Sequence, residues 1–194
     1  MNALLRIIFK LLGWKVVGAL PITVKKAVFA VCPHATWKDF PLGIATRATM
    51  KLKIGYLGKA ELFKPPFGFI FKALGGIPVV RTENRNMVDS QVDAIKKSDD
   101  RLFALAPEGT RKNVGKLRTG FYYMAFKAEI PIIMVGFDFP RKLIVIAEPF
   151  MPSGDFKTDM QQKFVPFFRT IEGVQKDWMT NYENGIFGEE KKAI

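Results

Sequence analysis

His34 is the only histidine in the chain, and Asp39 follows it in the pattern His-x4-Asp. An imidazole titrates near neutrality, so it can take up and return a proton under ordinary conditions. A carboxylate on one ring nitrogen fixes the tautomer and supports the charge that develops when the other nitrogen is protonated. Such a base contributes on the order of 10²–10⁴ in rate. On an ideal helix the two side chains would stand about 140° apart. Pro41, however, favours a helix that begins only after Asp39. Residues 35–38 are then free to fold back and carry the carboxylate to the ring. Thr36-Trp37-Lys38-Asp39 also reads as a helix capping box, so the pair alone does not establish chemistry.

Pro107-Glu108-Gly109-Thr110-Arg111 adds a second group of reactive types. Gly109 permits a tight backbone approach, Thr110 offers a hydroxyl, and Arg111 supplies a planar cation suited to phosphate oxygens. Lys112, Lys116 and Arg118 extend the positive field. By composition alone this is equally a solvated basic turn. Between the two groups, Gly75-Gly76-Ile77-Pro78-Val79-Val80-Arg81 delivers an arginine from a strand end, where open sheets commonly face ligands. Together the three segments offer a base, its orienting carboxylate and two phosphate-binding arginines.

These residues must be positioned by alternating strands and helices. Strands are expected at Trp14–Ala19, Ala27–Cys32, Ile54–Leu57, Ile77–Val80, Leu102–Ala106, Ile130–Phe137 and Leu143–Ile146. The apolar run Ala27–Cys32 has the character of a strand buried on both faces. Helices are expected from Pro41 to about Lys51, at Met87–Lys96, at Gly120–Ala128, and near Thr158–Arg169 with a bend at Pro166. Between Glu61 and Leu74 lies a Phe-rich stretch broken by Pro65-Pro66 and Gly68. This alternation implies an α/β layer fold in a single domain. His34 and Pro107 each stand where a strand hands over to a loop.

The 194 residues carry 30 Lys and Arg against 18 Asp and Glu, a net charge of +12. A field of that sign favours nucleic acid, anionic lipid head groups or phosphorylated small molecules. No helix-turn-helix or zinc spacing is present, and a lone histidine with a lone cysteine excludes the usual zinc-finger sets. Neither nucleic acid nor a metal is therefore expected. Cys32, the one cysteine, excludes an intrachain disulfide, and its apolar neighbours mark it as a small core residue. No run reaches the ~18 apolar residues of a spanning helix. Residues 1–13 instead form a basic amphipathic helix. Ala3, Arg6, Lys10 and Gly13 share one stripe, and Leu4, Leu5, Ile7, Ile8, Phe9, Leu11 and Leu12 cover the remainder. It could lie in a lipid interface or dock on the protein's own core.

The order of the blocks His34-x4-Asp39, Gly76-Ile-Pro-Val-Val-Arg81, Pro107-Glu-Gly-Thr-Arg111 and Ile130-Pro-Ile-Ile-Met134 resembles the glycerolphosphate and lysophosphatidic acid acyltransferase family, in its short bacterial form. The resemblance covers about residues 28–137. It implies an α/β fold with a mixed β-sheet flanked by helices, residues 14–188 as the acyltransferase domain, and 189–194 as a charged tail. It also implies that His34, oriented by Asp39, is the general base on an acceptor hydroxyl that attacks a thioester of acyl carrier protein or coenzyme A. No acyl-enzyme, cofactor or metal would take part. Arg81, Glu108, Gly109, Thr110 and Arg111 match positions that bind the acceptor's phosphate or shape its pocket. Glu108 would orient the arginines or the acceptor hydroxyls, because direct contact with phosphate would be repulsive. The expected acceptor is a lysophospholipid, 1-acyl-sn-glycerol 3-phosphate first, with another lysolipid as alternative. The expected place is the cytoplasmic face of an anionic membrane surface, as a peripheral or monotopic protein. The sequence departs from the family pattern at Pro33, Lys112 and Met134. Phe63, Phe67 and Phe71 are candidates for an acyl-chain groove, and equally for ordinary core. A non-catalytic lipid binder would keep the fold and the basic face but would not require His34.

Overall fold

The computed structural model describes residues 2–79, 86–97, 99, 101–173 and 175–188. One mixed sheet of seven strands organises the chain. In chain order the strands are β1 (Lys15–Val17), β2 (Lys26–Cys32), β3 (Ile54–Lys59), β4 (Gly76–Val79), β5 (Arg101–Leu105), β6 (Ile132–Asp138) and β7 (Leu143–Ile146). Their spatial order is β1-β7-β6-β2-β5-β3-β4. Among the described strand pairs only β6–β7 is antiparallel.

Alternation along the central strands divides the core in two, because successive side chains point to opposite faces. Val28, Ala30 and Cys32 of β2, with Ile132 and Met134 of β6, face one layer. That layer contains α4 (Asn86–Lys96), α5 (Gly120–Ala128), α6 (Phe156–Asp159), α7 (Val165–Arg169) and α8 (Asp177–Glu183). Ala27, Phe29, Ile133, Val135 and Phe137 face the other way, toward α1 (Asn2–Leu11) and α2 (Asp39–Met50). A short 3-10 helix (Ala60–Phe63) and α3 (Gly68–Ala73) lie between β3 and β4. The expected α/β fold with a mixed sheet flanked by helices is the fold observed.

Element boundaries differ from the sequence expectation where one group decides them. Helix α2 begins at Asp39 rather than after it. The Asp39 carboxylate accepts the N–H groups of Ala35 and Thr36, so the preceding loop folds onto the first helical residue. Strand β6 begins at Ile132, not Ile130. The Ile130 N–H is used on the Ala125 carbonyl at the end of α5, and Pro131 has no N–H to give. Between α6 and α7 the chain widens into a π turn, Met160–Phe164. A regular helix would press the Pro166 ring on the carbonyl four residues earlier and leave that carbonyl without its donor; the wider turn takes up the break. Helix α8 has no counterpart in the sequence expectation, although its buried Trp178, Met179 and Tyr182 have helical spacing.

Of the two options left open for the N-terminus, helix α1 takes the docked one, packed on the protein's own core. Phe9 is buried, and Arg6 Nε donates to the Ala48 carbonyl of α2 at 2.7 Å. That docking turns the cationic stripe partly inward and leaves Leu4, Ile7, Ile8, Leu11 and Leu12 exposed, Leu11 to 81%. Among the described residues no helix is long and apolar enough to cross a membrane.

Candidate active site

Parallel pairing of β2 with β5 brings two loops 74 residues apart into contact. The register sets Ala30 opposite Leu105. Both strands run the same way, so the chain leaves each at the same sheet edge, and His34 arrives beside Glu108. The His34 N–H donates to Glu108 Oε2 at 2.7 Å.

The ring itself turns to Asp39, with Nδ1 and Oδ2 2.8 Å apart. The same carboxylate accepts N–H groups from Ala35 and Thr36, both at 2.8 Å, and the Thr36 hydroxyl at 3.0 Å. Burial alone would raise the Asp39 carboxyl. The hydrogen bonds from His34, Thr36 and Ala35 outweigh it and hold the group below the ordinary carboxylate range. Asp39 therefore stays ionised at neutral pH and fixes the imidazole with its proton on Nδ1. Nε2 is then left for a substrate. The His34 side chain is 24% exposed and that of Asp39 3%, as suits a base in contact with ligand and a buried orienting group.

His34, Asp39 and Arg111 line one cleft of about 640 Å³, which continues away from them between α2 and the sheet. Its walls are mostly apolar. Phe40, Gly43, Ile44 and Met50 come from α2, and Phe29, Val31, Val135, Phe137 and Ile146 from the sheet. Arg47 also lines it and donates from Nη1 to the Ile54 carbonyl at 2.7 Å. Gly43 keeps the middle open; a Cβ there would meet only the Phe137 ring, at 3.8 Å. Trp37, 67% exposed, and Leu62 stand at the outer wall.

The remaining expected residues divide by position. Gly109 has φ +66°, a left-handed conformation that favours glycine, and its N–H closes a turn on the Ala106 carbonyl at 3.0 Å. Thr110 accepts the Lys112 N–H through its hydroxyl at 3.3 Å. Both shape the loop that presents Arg111. Glu108 does not line the cleft, and among the described residues its side chain meets no arginine. It is buried, and its second oxygen accepts the Trp178 indole N–H at 3.1 Å. Burial pushes its carboxyl above the ordinary range, and the His34 N–H, Lys176 and Trp178 only partly counter this. Arg81 lies outside the described residues. Of the three phenylalanines proposed for a groove, Phe71 lines the cleft and Phe63 packs on its ring at 6.3 Å. Phe67 is 64% exposed and does not line it.

Sequence reasoning missed the cleft wall on α2 and the buried pair Lys176 and Trp178. Gly43 inside a helical stretch was a usable signal, because a mid-helix glycine costs about 1 kcal/mol relative to alanine and calls for a reason. Nothing local marks Lys176.

An oriented imidazole and an exposed guanidinium that line the same mostly apolar cleft can deprotonate the hydroxyl of an anionic substrate whose other reactant carries a hydrocarbon chain. Comparisons with known proteins agree in kind. A family model described as Acyltransferase matches residues 14–138. A solved structure, the 1-acyl-sn-glycerophosphate (LPA) acyltransferase PlsC from Thermotoga maritima, superposes with a TM-score of 0.57 at 20% identity. The match covers 98% of this chain and 80% of that one. No curated protein matches the sequence.

Proposed function

Because the chain belongs to the acyltransferase family, we propose that it transfers a fatty-acyl group from acyl-ACP or acyl-CoA to a hydroxyl of 1-acyl-sn-glycerol 3-phosphate at a membrane surface. The observation that carries this reading is the His34–Asp39 dyad opening onto a mostly apolar cleft that Arg111 also lines. In the proposed step the acceptor hydroxyl gives its proton to His34 Nε2 while its oxygen attacks the thioester carbonyl. The tetrahedral intermediate then collapses, the C–S bond breaks, and the imidazolium returns the proton to the leaving thiolate. Asp39 supports the transient positive charge. Arg111 pairs with the acceptor's phosphate, and the cleft between α2 and the sheet holds the acyl chain of the donor.

The test is an acyl-transfer assay on the purified chain, crossing both thioester classes with phosphorylated and unphosphorylated lysolipids. Transfer to the phosphorylated lysolipid supports the reading. Binding of anionic lipid without turnover on any pair would leave a lipid-binding protein in its place.

Chain-length selection should depend on Gly43. Gly43→Leu fills the middle of the cleft against Phe137. It should shift the kcat/KM ratio toward short-chain donors by about tenfold or more, since one methylene of misfit in an apolar pocket is worth ~10–200-fold. An unchanged chain-length profile would place the acyl chain elsewhere.

Membrane attachment follows from the outward apolar face of α1, with exposed Lys64 and Lys72 flanking the exposed Phe69 on α3 as further contacts for anionic head groups. Leu4→Asp with Leu11→Asp should abolish co-flotation with vesicles of anionic phospholipid without lowering the unfolding temperature, because both side chains are already exposed. Full retention on vesicles would remove α1 as the anchor.

A further inference from the structure

The segment that immobilises the Arg111 loop comes from the end of the chain, beyond the residues matched by the family model. Residues 113–117 are fastened to α8 and its first turn almost residue by residue. Asn113 Oδ1 accepts the Asp177 N–H at 2.9 Å, and the Val114 carbonyl accepts the Trp178 N–H at 3.0 Å. The Gly115 carbonyl accepts the Asn181 amide at 2.9 Å, and the Leu117 N–H donates to the Tyr182 hydroxyl at 2.8 Å.

Lys176 sits at the head of this clamp and is almost wholly buried. Its ammonium donates to the carbonyls of His34, Arg111 and Lys112 at 3.2, 3.3 and 3.4 Å. Its nearest carboxylate, Glu108 Oε2, is 4.0 Å away. An ammonium has three N–H donors, and each has a carbonyl here. His34 is thus held through both of its peptide groups, the N–H by Glu108 and the carbonyl by Lys176. Each charge offsets part of the cost of burying the other. The neighbouring Cys32 thiol is pushed well up by burial and then by Glu108, so it stays neutral beside the pair.

We infer that Lys176 is a positioning residue for acyl transfer: its ammonium ties the loop bearing His34 to the loop bearing Arg111 and balances the buried Glu108. It touches no substrate and acts through the backbone of the base. This inference rests on the proposed reaction for its kinetic readout, and on backbone geometry for a readout that needs no reaction.

The test compares Lys176→Met and Lys176→Arg with the wild type by steady-state kinetics, pH profile and amide hydrogen exchange. Lys176→Met should lower kcat about 10- to 100-fold with little change in the donor KM, as expected when a base is displaced by a fraction of an ångström to an ångström. Loss of the ammonium removes the charge that draws the Glu108 carboxyl down, so the acid limb of kcat/KM should move to higher pH. Lys176→Arg should restore much of kcat and return the limb, which loss of packing alone would not do. The amides of His34 and of residues 113–117 should exchange faster in Lys176→Met. If Lys176→Met does not fold, Lys176→Met with Glu108→Gln leaves no unpaired buried charge and is tested in its place. Wild-type kcat with unchanged exchange would overturn the inference, as would equal kinetic losses in the Met and Arg variants. If the wild type transfers no acyl group, the proposed reaction fails, and amide exchange alone decides whether Lys176 holds the loops.

Discussion

Replacing His34 with alanine should lower kcat by about 10³-fold or more, within the range that a positioned general base contributes. The same variant should bind vesicles and unfold as the wild type does, because Asp39 keeps its bonds to Ala35 and Thr36 when the ring is gone. Asp39→Asn should also reduce turnover severely, since an amide can donate to Nδ1 and so stabilise the wrong tautomer. That variant should in addition lose stability, because its carboxylate also closes the loop onto α2. The sign with pH follows from the depressed Asp39 carboxyl. Its stabilising contribution is fully present above the ordinary carboxylate pKa of about 3.9 and is lost only as pH falls below that, through the lower folded value. Loss of activity between pH 5 and 7 therefore cannot come from Asp39. Transfer by His34→Ala at the wild-type rate would remove the base and, with it, the proposed mechanism.

Replacing Arg111 with alanine should raise KM for a phosphate-bearing acceptor by about 10- to 100-fold, the equivalent of one hydrogen-bonded charge pair worth ~1.5–3 kcal/mol. KM for the thioester should hardly change. Use of the matching unphosphorylated lysolipid should be insensitive to the substitution, because it lacks the group that the guanidinium holds. Lysine should restore only part of the loss, since an ammonium cannot make the two parallel bonds of a guanidinium. Arg111 is exposed, so its contribution should also weaken as salt is raised. Equal losses on phosphorylated and unphosphorylated acceptors would show that Arg111 shapes the loop rather than binding phosphate.

Much of this arrangement was legible in local pattern. The continuous apolar run Ala27–Cys32 marks a strand buried on both faces, and that strand is central in the sheet. The limits of α5 and β7 were read to the residue, because apolar runs with clear turn signals bound them. The His-x4-Asp and Pro-Glu-Gly-Thr-Arg blocks picked out the loops that meet at the cleft. The errors fell where a distant partner decides the outcome. Glu108 looked like a site carboxylate because it shares the Pro-Glu-Gly-Thr-Arg block with Arg111, which lines the cleft. Its side chain instead turns inward, to a His34 N–H 74 residues earlier and a Trp178 indole 70 residues later. Phe67 looked like groove lining because it sits among phenylalanines, yet it stands exposed at the N-cap of α3, and the cleft takes Phe71 and the α2 side chains instead.

By itself, then, the sequence determined which groups could do chemistry, the alternation that makes an α/β sheet, and the amphipathic start of the chain. These follow from residue type and from spacings of two to five residues, which act through local backbone geometry. Tertiary structure alone decided the register of β2 against β5, the cleft under α2, and the passage of Lys176 behind the site. Those depend on contacts between residues far apart in the chain, and no local period records which distant carbonyl an ammonium will meet.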